Sequence, residues 1–194
     1  DGRALLYLHA APGSVSRSLW RHDLASGSRQ LLATAADDGT YSRDEELRRE
    51  RQRERGAGIS NYQLADDGTL LVVLGGRLLV GDAEAPVSVL EGAAGVQDAG
   101  LAPDGRHVAF VSAGDLHVVS TDGCSARRLT HDAAPGVFNG LAEYIAAEEL
   151  DRHAGTWWSA DGTALAVAHV DEREVPAYPI PHLVGDAVEV EAHR

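Results

Sequence analysis

Lysine and methionine are absent from the 194 residues, and cysteine occurs once. With no lysine, all 17 basic residues are arginine, a usage that fits a GC-rich coding sequence. The lone Cys124 excludes an internal disulfide and a thiolate metal cluster. In its setting, TDGCS, it reads as an inert turn residue rather than a nucleophile. The nine histidines are scattered without HExxH or paired-ligand spacing, so neither a metal site nor a cofactor is expected. No apolar run approaches the about 18 residues of a membrane helix, which excludes a helical span in this segment. Basic residues are too few to balance 30 acidic ones, and the net charge of −13 argues against nucleic acid and anionic membranes as partners. It favours cationic ligands instead. The chain lacks an initiating Met and a signal-peptide pattern, so the expectation is a processed chain or a piece of a longer one. The compartment, cytoplasmic, periplasmic or secreted, is not legible from its end. The nucleophile elbow G-x-S-x-G is also missing, with no matching Asp and His context, so this segment alone cannot perform acyl transfer.

What is present is a recurring pattern. Apolar residues make up 44%, enough for a core. An Asp-Gly pair followed by an apolar, β-rich run appears as DGRALLYLHA from Asp1, DDGTLLVVLGG from Asp66, PDGRHVAFVSAGDLHVVS from Pro103 and ADGTALAVAHV from Ala160. Asp-Gly suits a tight turn, and the run after it reads as a strand. After the second and third copies, a GG or AGD turn leads into another strand, RLLVGD or DLHVVS. Gly68 and Gly105 are 37 residues apart, close to the about 40–45 of a four-stranded propeller blade. The other spacings, 66 and 57 residues, are longer, and each excess coincides with a helical-looking insertion, at about 42–56 and about 139–152. The chain therefore reads as all-β, one segment of a single β-propeller domain over 1–194, with about four blades and two short inserted helices. A β-sandwich is the competing architecture. Three repeats and part of a fourth do not close a ring, because a blade needs neighbours on both faces.

The first insertion, SRDEELRRERQRERGAG, has Ser42 or Asp44 as a cap, Glu45 and Glu46 in its first turn, then Arg48, Arg49, Arg51, Arg53 and Arg55, and Gly56 as a stop. It reads as a solvated charged helix with Glu45–Arg49 support. A nucleic-acid helix is opposed by the global charge and the lack of interleaved aromatics. The remaining reading is an arginine forked onto a substrate carbonyl or carboxylate.

The second insertion is NGLAEYIAAEELDRHAG. On a helical wheel of about 100° per residue with Leu141 at zero, Ile145 falls at about +40°, Tyr144 at about −60° and Glu148 at about −20°. Glu148 is thus expected in the middle of the packed stripe, with Glu149 on its flank. A carboxylate there implies a cleft or a cation. Two carboxylates can accept two of an ammonium group's three N–H bonds, and a nearby arginine would orient a carbonyl. That constellation suits a free peptide N-terminus. It is not a retaining-glycosidase pair, because neighbours on one helix diverge rather than flank one bond.

The run NGLAEYIAAEELDRHAGTWWSADG, followed by VDEREV, resembles the propeller domain of the dipeptidyl peptidase IV family of serine peptidases. It is most similar to bacterial members and to the dipeptidyl peptidase 8 and 9 branch. The signature is Glu148-Glu149, Asp151-Arg152, Gly155, Trp157-Trp158 and the acidic run at 170–172, and the Arg-rich segment with GISNYQ resembles that branch's arginine helix and following strand. The resemblance implies an eight-bladed propeller capping a C-terminal α/β-hydrolase domain that is absent here. It implies that Glu148 and Glu149 bind the substrate's N-terminal ammonium and that Arg53, with Arg51 and Arg49 as fallbacks, binds a substrate carbonyl. Dipeptides would be released after Pro or Ala from peptides with a free N-terminus, and a homodimer is the expectation for the parent. Trp157 and Trp158 are expected to pack the blade rather than touch substrate. Two alternatives stay open: a non-catalytic propeller acting as an interaction module, and an oligopeptidase or acylaminoacyl peptidase propeller without an ammonium anchor.

Overall fold

Asp67, Asp104 and Asp161 each accept, through Oδ1, the backbone N–H two residues ahead, from Thr69 at 2.9 Å, Arg106 at 3.1 Å and Thr163 at 3.1 Å. Such Asx turns reverse the chain without a partner strand, so each Asp-Gly repeat starts a new strand. The computed structural model describes residues 2–34, 57–123, 126–182 and 189–193. The helix expected at about 42–56, and Cys124, lie outside the described residues.

The first sheet contains β1 (Ala4–Ala10), β2 (Ser16–Asp23) and β3 (Arg29–Ala33) as antiparallel neighbours. A two-residue strand, β4 (Ala57–Gly58), joins β2 in parallel at Ser16 and Arg17. The second sheet is a meander of β5 (Tyr62–Leu64), β6 (Thr69–Leu74), β7 (Arg77–Asp82) and β8 (Ser88–Val89). The third repeats it with β9 (Gln97–Leu101), β10 (His107–Ser112), β11 (Asp115–Ser120) and β12 (Arg127–Arg128). The central hairpins of these two sheets turn at Gly75-Gly76, with φ of 57° and 70°, and at Ala113-Gly114, with φ of 51° and 80°. Two successive positive φ values are what a type I′ hairpin turn requires.

The fourth unit is built differently. β13 (Val137–Asn139) pairs with β16 (His169–Asp171), and β14 (Thr156–Trp158) pairs with β15 (Leu165–Val167). The Gly140 N–H donates to the Ala168 carbonyl at 2.8 Å, and the Ala168 N–H donates to the Gly155 carbonyl at 2.8 Å. These bonds make β13 and β14 two halves of one interrupted strand, both lying along the run from Leu165 to Asp171. A last hairpin pairs β17 (Tyr178–His182) with β18 (Glu189–His193).

The sheets stack face to face. Leu70 and Val72 of β6 pack with Leu19, Leu32 and Ile59 of the first layer, while Leu71 packs with Val108, Phe110 and Val119 of the third. Alternating side chains of one strand are therefore buried on both faces, each worth about 1.5–3 kcal/mol as removed apolar area. Polar side chains add cross-links between layers. Gln63 donates to the Ala99 carbonyl at 2.7 Å and accepts from the Leu101 N–H at 2.8 Å. The Tyr62 hydroxyl donates to the Leu6 carbonyl at 3.0 Å. This is propeller stacking, with three four-stranded blades and part of a fourth; the described strands do not close into a ring.

Candidate functional site

The interrupted strand opens between Gly140 and Gly155. There the Leu141–Ala154 bridge closes the base of an insert, and the insert carries α1 (Tyr144–Glu149). A Cβ on Gly155 would sit 2.4 Å from the Gly140 carbonyl carbon and 2.5 Å from the Leu141 nitrogen. Both are backbone atoms and cannot swing aside. Gly140 itself is at φ 85°, a region open to glycine at little cost. The Gly155 N–H also donates to Asp98 Oδ2 of β9 at 3.0 Å, which ties the neck to the third blade. Gly155→Ala in the full-length protein is accordingly expected to destabilise by about 1–3 kcal/mol, seen as a lower unfolding midpoint and faster proteolysis within 141–154. An unchanged digestion pattern would contradict this account of the neck.

The helix occupies only Tyr144–Glu149 of the expected 139–152. Asn139 is still strand, Gly140 and Leu141 form the neck, and Asp151 at φ 52° follows the C-cap. Six residues are too few to hold a helix by propensity, so its ends do the work. The Glu143 carboxylate accepts the Ile145 N–H at 2.7 Å and the Ala146 N–H at 2.8 Å, satisfying two of the free donors of the first turn. At the other end the Arg152 N–H donates to the Ala146 carbonyl at 2.9 Å.

The packed face differs from the wheel reading. Ala146 and Ala147 are the buried residues of α1, while Tyr144 and Ile145 are 52% and 59% exposed. Glu148, one turn after Tyr144, therefore lies on an open face rather than in a packed stripe, and Glu149 is exposed as well. The reason is that Leu141 belongs to the neck and not to the helix, so it cannot set the phase. Small alanines let α1 lie close against the sheet and turn its larger residues outward.

The carboxylates around the insert sort by what they already bind. Glu143 caps α1. Asp151 Oδ1 lies 3.1 Å from His153 Nε2. Asp171 holds Arg173 through both oxygens, and the hydrogen-bonded guanidinium keeps its carboxyl far below the usual carboxylate range. Glu148 and Glu149, among the described residues, make no ion pair or side-chain hydrogen bond. The fold thus brings the two expected anchor residues to one exposed turn with their acceptors unspent. Arg53, Arg51 and Arg49, the expected carbonyl-binding candidates, lie outside the described residues.

The two tryptophans divide their roles. The Trp158 Nε1–H donates to the Gly100 carbonyl of β9 at 2.9 Å, and its ring lies 6.4 Å from His107, so it locks the fourth unit to the third blade. Trp157 is 44% exposed and faces the Arg152 guanidinium, whose carbon lies 5.8 Å from the ring centroid. Sequence reasoning missed the capping role of Glu143, the acceptor role of Asp98 toward the Gly155 N–H and the neck glycines as a pair. Only Gly155 left a signal, as a fixed point of the signature.

The model of the family described as "Dipeptidyl peptidase IV (DPP IV) N-terminal region" matches residues 76–194, a span that includes α1 and its neck. A Schizosaccharomyces pombe protein provisionally named a dipeptidyl aminopeptidase is 40% identical over 80 residues, which is 41% of this chain and 10% of that protein. Dipeptidyl peptidase 4 of Trichophyton tonsurans is 34% identical over 89 residues, 45% of this chain and 11% of the relative. The crystal structure of Porphyromonas gingivalis dipeptidyl peptidase 4 superposes with a TM-score of 0.66 at 23% identity, covering 100% of this chain and 28% of that one. The matched region is thus about a tenth of the sequence relatives' length, and the chain spans little more than a quarter of the solved structure.

Proposed function

The chain belongs to the dipeptidyl peptidase IV N-terminal region family, and from that membership we propose that it is the propeller portion of a larger serine-type exopeptidase that removes dipeptides from free N-termini. In this reading Glu148 and Glu149 receive the substrate's terminal ammonium, and Arg53, or Arg51 or Arg49 one or two steps along the same arginine run, receives a carbonyl of the bound peptide. The observation that carries the proposal is the exposed, unpaired Glu148-Glu149 turn, mounted on a clamped insert inside the family-matched span.

The chemistry follows from charge and length. An ammonium presents three donors and one positive charge, and two carboxylates on a fixed turn can take two of those donors. Anchoring the terminus fixes how far the chain extends toward a nucleophile carried elsewhere in the parent. Two residues then reach past the scissile bond, with Pro or Ala at the second. The propeller measures and excludes, while an α/β-hydrolase domain of the same parent performs the acyl transfer, and the parent acts as a homodimer.

The experiment compares Gly-Pro p-nitroanilide with N-acetyl-Gly-Pro p-nitroanilide on the full-length enzyme. Blocking the amine removes the charge and adds bulk where the carboxylates sit, so kcat/KM is expected to fall at least about 100-fold, the scale of losing a buried charge–charge hydrogen bond. Equal rates on both would point to an oligopeptidase or acylaminoacyl peptidase, and no hydrolysis of either would favour an interaction module.

A further inference from the structure

Among the described residues, Arg152 is the one side chain that reaches both ends of the helix insert. Its Nη1 donates to the Ala154 carbonyl at 3.0 Å, in the bridge that closes the neck. Its Nη2 lies 3.8 Å from Glu143 Oε1, the same oxygen that caps the Ala146 N–H. Its guanidinium carbon stands 5.8 Å from the centroid of the Trp157 ring, which belongs to β14. Its backbone N–H closes the last turn of α1 on the Ala146 carbonyl at 2.9 Å. One planar group therefore contacts the N-cap, the neck and the blade beneath.

That geometry matters because α1 has little else to fix its tilt. It buries only two alanines, and an isolated helix of this length is far below the about 12–15 residues at which helices become marginally stable in water. The neck of Gly140 and Gly155 defines where the insert leaves the sheet, but it does not fix the insert's angle. Arg152 does, by bracing the cap carboxylate against the neck carbonyl. A lysine would retain the charge near Glu143, yet it lacks the rigid fork that donates to Ala154 while lying over the Trp157 ring.

We infer that Arg152 is a positioning residue for the ammonium anchor, setting the orientation of the turn that carries Glu148 and Glu149 without touching substrate; this rests on the anchor reading proposed above. Displacing a binding group by about 1 Å can cost as much as 100-fold in rate. Loss of Arg152 should therefore act on the recognition of the amine and leave the distant chemistry alone.

The test uses the full-length enzyme with Gly-Pro p-nitroanilide and its des-amino analogue, acetyl-Pro p-nitroanilide, which lacks only the terminal amine. Arg152→Ala is expected to raise KM for the amine substrate about 10- to 30-fold, within the range that misplaced binding groups produce. The same variant should leave kcat and hydrolysis of the analogue within about twofold and the thermal midpoint unchanged. Arg152→Lys should recover part of the lost preference for the amine. Glu149→Gln serves as the control for the anchor itself. If Glu149→Gln leaves the preference intact, the anchor reading fails. If Glu149→Gln abolishes the preference while Arg152→Ala keeps it, the positioning role fails alone. Equal loss on both substrates with a lowered thermal midpoint would also overturn it, since that pattern marks a residue needed only for folding.

Discussion

Replacing Glu148 or Glu149 with alanine in the full-length enzyme is expected to lower kcat/KM on Gly-Pro substrates several hundred-fold while leaving the fold intact. Both side chains are exposed and unpaired in the free structure, and exposed substitutions of this kind change stability by no more than about 0.5 kcal/mol. Binding changes their surroundings. A docked ammonium gives up its water, and its charge then depends on the two carboxylates. Removing one partner of a desolvated charge pair costs about 3–5 kcal/mol. The turn faces solvent, so the lower part of that range applies, and about 3.5 kcal/mol corresponds to several hundred-fold. Glutamine in place of either glutamate keeps an acceptor oxygen but removes the charge, and should fall between wild type and alanine. The two sites share one ligand, so the double variant should lose less than the product of the single effects. Steady-state kinetics alongside a thermal scan separates these outcomes, and a near wild-type rate for either alanine variant would remove the anchor assignment.

How much of this could be read in the sequence depends on how local the cause is. The Asp-Gly repeats were legible because an Asx turn needs only an aspartate and the N–H two residues on, as at Asp67, Asp104 and Asp161. The type I′ turns at Gly75-Gly76 and Ala113-Gly114 are equally local, and with them came the second and third blades. The helix phase was not legible, because periodicity treats the run from Leu141 onward as one helix. The deciding interaction is instead the Leu141–Ala154 bridge, between residues far apart along the insert. Alanines at the packed positions also carry too little hydrophobic contrast for a wheel to find them. The parallel pairing of Ala57 and Gly58 with β2 spans a single strand period, so no repeated alternation could announce it. Of the candidate site, the Glu148-Glu149 pair and Arg152 stood out through their spacing to Gly155 and the tryptophans. The bracing geometry of Arg152 did not, since it depends on where the neck closes.

The same limit hid Asp115, which the sequence places in a turn and the structure buries to 1% exposure. Its partners lie 13, 15 and 24 residues further on: Arg128 pairs with Oδ2, the Thr130 hydroxyl donates to Oδ1 at 2.7 Å, and Asn139 Nδ2 donates to Oδ1 at 3.3 Å. Burial by itself pushes the carboxyl up. The hydrogen bonds from Thr130 and Arg128, with the Arg128 charge, outweigh it and hold the group below the ordinary carboxylate range. A carboxyl depressed in the folded state stabilises the fold above its unfolded value of about 3.9, and that contribution fades as pH falls through the lower folded value. Asp115→Ala at neutral pH leaves the buried Asn139 amide and the half-buried Thr130 hydroxyl each short of an acceptor, at about 1–3 kcal/mol for each group left unsatisfied. Arg128 is half-exposed and can turn to water, so its share is small. The expected total is about 3–4 kcal/mol at neutral pH. A substitution to asparagine should cost less, and its deficit should begin to shrink as the thermal scan is repeated at pH values below the ordinary carboxylate range. The effect should also reach the site. Asn139 directly precedes Gly140 in the neck, and its Nδ2 bridges Asp115 to Asp132 at 2.8 Å while its Oδ1 lies 2.9 Å from His169 Nδ1. Loosening that residue frees the strand from which the insert departs, so Asp115→Ala should raise KM for amine-bearing substrates beyond what its loss of stability explains. A variant as stable as wild type at pH 7, or an asparagine variant whose deficit never shrinks as the pH is lowered until the wild type unfolds, would show that the buried carboxylate is not what joins the third blade to the fourth.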